Sequence, residues 1–81
     1  MKLFLLTRKD NPATYEMYSS AVVCAKNEED AKTIRPDGKP CTESIDHYDS
    51  WVVLSQVRAE YLGVARPGHP RGVVCADNVG G

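Results

Sequence analysis

The chain has 81 residues, of which 42% are apolar and 26% charged, and its formal net charge is −1. These values exclude a disordered polyelectrolyte and a strongly basic nucleic-acid binder, and they fit one ordinary folded domain spanning residues 1–81. At this length folding buries only about 60–65% of the unfolded chain's surface, so one modest core must carry the stability.

Lys2 to Arg8 is a compact apolar run ended by Arg8-Lys9-Asp10-Asn11-Pro12, and it reads as a buried strand. Asp10-Asn11-Pro12-Ala13 is a reversal, because proline fixes φ and Asx side chains hydrogen-bond locally. Residues 15–25, rich in Tyr, Ser and β-branched side chains, form the returning strand. Asn27 is then a helix cap, followed by Glu28, Glu29 and Asp30, where the positive helix end favours acids. Ala31 and Ile34 share one face, and Pro36 and Gly38 stop the helix after about two turns. Residues 35–50 have no periodicity and read as a long surface loop. Trp51 to Leu54 restores apolar character, and Trp51 is expected in the core.

After it, Leu54, Val57 and Tyr61 fit a helical stripe, whereas Val57, Ala59 and Tyr61 alternate as a strand would. The strand reading is favoured, because Gly72 to Asp77 follows at hairpin distance as a pairing partner. Arg66-Pro67-Gly68-His69-Pro70-Arg71 between them is a loop. The expected fold is α+β: a single small ββαββ domain, its antiparallel-rich sheet covered on one face by a short helix.

Three cysteines make an odd count, which argues against a disulfide scaffold and for reduced thiols in a cytoplasmic setting. Cys24 and Cys75 lie in apolar runs and are expected to be buried, while Cys41 reads as an incidental loop residue. The spacings Cys41-x5-His47 and His69-x5-Cys75 lack the close ligand pairs of a zinc site, so no metal and no cofactor is expected. Asp46, His47 and Asp49 could supply acid–base groups, but no nucleophile elbow, P-loop or dinucleotide fingerprint accompanies them. The sequence reads as non-enzymatic. The Leu3-Phe4-Leu5-Leu6 run is too short to span a membrane.

Charge is uneven along the chain: residues 1–26 carry a net +2, residues 27–50 a net −4 and residues 51–81 a net +1. Two opposed segments are therefore the candidate binding surfaces. One is acidic, Glu43, Asp46 and Asp49 with Tyr48 beside them. The other is the basic loop of Arg66, His69 and Arg71, stiffened by two prolines. Aromatic groups beside charge suit an interface anchor, and complementary charge steers association.

Lys2-Leu3-Phe4-Leu5-Leu6-Thr7-Arg8, Tyr15-Glu16, Ser20-Ala21-Val22-Val23, Glu28-Glu29-Asp30-Ala31, Trp51-Val52, Tyr61-Leu62-Gly63 and Gly72-Val73-Val74 together resemble a group of small bacteriophage and prophage proteins. The resemblance covers nearly the whole chain, implies strand structure for residues 57–65 and a phage origin, and brings no activity with it. By analogy with phage proteins of this size, the expectation is a binding protein that occupies the surface of a host protein or nucleoprotein complex, such as a CRISPR-type defence complex, in the host cytoplasm. Direct nucleic-acid contact by the basic loop is a lesser expectation. The alternative is an assembly module acting as a homodimer through an open sheet edge. A small Cys/His enzyme is the third reading.

Overall fold

The computed structural model describes residues 1–9, 18–42 and 51–78. Strand β1 is Lys2–Arg8, β2 is Tyr18–Ala25, helix α1 is Glu28–Lys32, β3 is Val57–Val64 and β4 is Gly72–Asn78, with a 3-10 turn at Leu54–Gln56 ahead of β3. The four strands form one sheet in the order β3-β1-β2-β4, and every neighbouring pair is antiparallel. The protein is therefore α+β, with one short helix on a four-stranded sheet.

β1 and β2 pair in continuous register from Lys2↔Ala25 to Thr7↔Ser20. Directly opposed residues share a face, so alternation sorts the sheet. Phe4, Leu6, Ala21, Val23 and Ala25 face one way and are all buried. Ala31 of the helix, Ile34, Cys41, Trp51, Val52 and Val57 complete that core, with Tyr18, Leu54, Ala59 and Val73 packed against it. Trp51 is 1% exposed, as its position before Val52-Val53-Leu54 led us to expect. Its indole N–H finds no hydrogen-bond acceptor among the described residues.

Asn27 caps the helix as the sequence suggests: its Oδ1 accepts from the Asp30 N–H at 2.8 Å. The helix is shorter than expected, five residues ending at Lys32. The chain then folds straight into a turn, with the Gly38 N–H donating to the Arg35 carbonyl at 2.8 Å and the Arg35 N–H to the Lys39 carbonyl at 3.0 Å. Pro36 stands at the second turn position and Gly38, at φ +86°, at the fourth.

Three expectations are corrected here. Residues 35–42 are not a plain surface loop: Arg35, Pro36 and Cys41 are buried, because the Cys41 N–H donates to the Thr33 carbonyl at 2.8 Å and draws the segment onto the core. Cys41 is thus a core residue whose thiol reaches the Val52 carbonyl at 3.5 Å. Residues 57–64 are a strand, but β3 does not pair with β4; the two lie on opposite edges of the sheet. β3 ends beside Lys2 and β4 begins beside Cys24, so the 65–71 linker crosses one end of the sheet. Three strand spacings are about 14 Å, well within reach of seven residues. A linker of that length permits either a hairpin or a crossing, and the ladders left open on both sides of the β1–β2 pair decide for the crossing.

Candidate functional site

The basic loop is built around a turn. The His69 N–H donates to the Arg66 carbonyl at 3.0 Å, Pro67 sits at the second position and Gly68, at φ +82°, at the third, which is what a type II turn demands. The Cys24 thiol lies 3.9 Å from the His69 carbonyl, and the Ala65 N–H donates to the Met1 carbonyl at 2.9 Å. Both contacts hold the loop to the end of the sheet.

Arg71 is exposed and paired within the fold. Its Nε and Nη2 donate to both carboxylate oxygens of Asp30 at 2.9–3.1 Å, and Nη2 also reaches Thr33 Oγ1 at 3.1 Å. The Asp30 carboxylate further accepts the Lys26 N–H at 3.2 Å. One acid therefore ties the end of β2, the first turn of α1 and the start of β4 together. The Arg71 hydrogen bond is the main cause that holds the Asp30 carboxyl below its ordinary value, against burial and with help from the Lys26 N–H. Asp37 behaves likewise: burial raises its carboxyl, but the Lys39 N–H and the Arg35 guanidinium together bring it below the ordinary value. Of the loop's three candidates, Arg66 is exposed and His69 half-buried, with Nδ1 2.9 Å from the Pro70 carbonyl. The acidic candidates Glu43, Asp46, Tyr48 and Asp49 lie outside the described residues.

The three cysteines form no disulfide. Cys24 is buried, as expected, but Cys75 is exposed, which corrects the reading of its apolar run. β4 is an edge strand, and the Val22↔Cys75 pair points away from the helix-covered core. Among the described residues no cluster of His, Cys, Asp and Glu could hold a metal ion. No described helix is long and apolar enough to cross a membrane. A shallow cleft of about 410 Å³ is lined by Lys2, Phe4, Asn27, Glu28 and Tyr61; it gathers no convergent acid–base pair.

The surface that sequence reasoning missed is the second face of the sheet. The helix, the 34–41 turn and the Trp51–Val57 region all pack on the first. On the other face the registers set three rows across β3, β1, β2 and β4: Arg58–Thr7–Ser20–Asp77, then Glu60–Leu5–Val22–Cys75, then Gly63–Leu3–Cys24–Gly72. Leu3, Leu5 and Val22 are only half-buried there, and the one described element that reaches this face is the crossing loop at Cys24. The signal was present: Leu3 and Leu5 alternate with Phe4 and Leu6, and a single short helix cannot cover both sets.

Comparison with protein-family models, with curated proteins and with solved structures found no match to this chain. Function must be argued from the surface itself.

Proposed function

We propose that the protein is a small non-catalytic binding module that works by laying the second face of its sheet against another protein. The observation that supports this is the apolar centre of that face, Leu3, Leu5 and Val22, bordered by Arg58 and Glu60 on one edge strand and Asp77 on the other. An apolar middle with a charged rim is the composition of a protein interface. The cytoplasmic setting rests on the odd cysteine count of the sequence.

The finer reading, a phage-encoded protein that occupies a host defence complex, rests on the sequence resemblance and on size. Affinity capture from a bacterial host lysate tests both levels. The wild-type protein captures a partner, and Leu5→Asp, which places a charge at the centre of the face, loses it with its far-UV spectrum unchanged. Equal capture by both proteins would refute the module's use of this face, and a captured protein with no role in defence would refute the finer reading.

A further inference from the structure

We infer that the cleft between the start of β4 and the turn after α1 is a binding site for a small organic anion, an acid head group on a short apolar stem. The cleft is separate from the sheet face proposed above, because it lies on the helix-covered side, where Ile34 and Val73 meet the core. It encloses about 290 Å³, the lower end for a ligand pocket, so its ligand is small. Ile34, Pro40 and Val73 give it an apolar lining, and Lys39 and Arg71 are its charged lining residues. No described carboxylate lines it. Two cations beside an apolar surface suit a ligand that is negative at one end and apolar at the other.

Both cations are positioned before any ligand arrives. Asp30 and Thr33 engage the Nε and Nη2 of Arg71. That fixes the guanidinium plane and leaves the Nη1 N–H groups without an acceptor among the described residues. The Asp30 side chain is 14% exposed against 47% for Arg71, so the acid stands behind the arginine and the cation faces outward. Lys39 belongs to a turn closed on itself. Its N–H donates to Asp37 Oδ1 at 3.0 Å, its carbonyl accepts the Arg35 N–H at 3.0 Å, and Ile34 and Pro40 form a bridge beside it. Asp37 is engaged by the Arg35 guanidinium at 2.7 Å. Asp30 thus offsets Arg71 and Asp37 offsets Arg35, and the charge of Lys39 remains over at the cleft. A preformed site of this kind loses little on ordering when it binds.

Titration of the isotope-labelled protein, followed by the NMR shifts of its backbone amides, tests this with hexanoate, hexanol and acetate as probes. Hexanoate moves the Gly38, Lys39, Gly72 and Val73 amides saturably, with a Kd on the order of 1 mM. Hexanol lacks the charge and acetate lacks the stem, and each binds at least about tenfold more weakly. Lys39 is exposed, so Lys39→Glu leaves the melt nearly unchanged. The same variant weakens hexanoate at least about tenfold, whereas Lys39→Arg retains it. Hexanoate shifts that do not saturate by about 20 mM, or that centre on other residues, overturn the inference. So does hexanol binding as well as hexanoate in the wild type, a comparison that needs no variant to fold. Hexanoate binding indifferent to Lys39→Glu overturns it as well. Leu5→Asp, on the opposite face of the sheet, leaves hexanoate binding intact, so this site and the proposed function stand or fall separately.

Discussion

Asp30 and its two partners show how much a single side chain carries in a chain of this size. Asn27 presents the acceptor that closes the first turn of α1, and Asn27→Ala should cost about 1 kcal/mol, a fall of roughly 4–8 °C in melting temperature; an unchanged melt would remove Asn27 from the cap. Asp30 faces Arg71 and the Lys26 N–H, and these hold its folded carboxyl below the unfolded value. A carboxylate so depressed contributes stability that is complete above the ordinary range near pH 4 and is lost as pH falls through the folded value. The melting temperature should therefore drop on the acid side of about pH 4, and Asp30→Asn should flatten that drop while lowering stability at neutral pH. An acid limb identical in the variant would contradict the assignment. The cysteines separate just as sharply: Cys75 should react quickly with a thiol reagent in the folded protein, and Cys24 and Cys41 only on unfolding.

At the scale of elements, Arg71 fastens β4 to α1. Its partners are partly exposed, so Arg71→Ala should cost only roughly 1 kcal/mol, with increased hydrogen exchange at the start of β4 as its signature. Gly68, at φ +82°, occupies a region costly for any side chain, and Gly68→Ala should destabilise by about 1 kcal/mol. β1, β2, the cap and the turn dipeptides were legible in the sequence because each is a local pattern: an apolar run, an Asx before acids, a proline beside a glycine. The pattern of β3 fits a helix as well as a strand, and the hairpin partner that favoured the strand is not its neighbour. Which strands are neighbours was not legible. The 65–71 linker suits a hairpin and a crossing equally, and only the unpaired ladders of β1 and β2 decide between them. Cys75 was misread for the same reason, since its apolar neighbours say nothing about which edge of the sheet the strand occupies.

For the molecule as a whole, the decisive feature is an inventory of faces. One short helix and the segments after it cover Phe4, Leu6 and Val23, and no described element covers Leu5 or Val22. The sequence hid this because Leu3-Phe4-Leu5-Leu6 reads as one apolar run, although its members point alternately to two environments that differ in cover. The charged loops drew attention instead. One of their arginines is committed to the fold, and the acidic segment lies outside the described residues. The most direct test of the face as the working surface uses Cys75, its native thiol, in the same row as Leu5 and Val22. Its alkylation rate, measured in the free protein and again with a captured partner bound, should fall as the face becomes occupied. Binding that leaves the Cys75 rate unchanged would contradict the account.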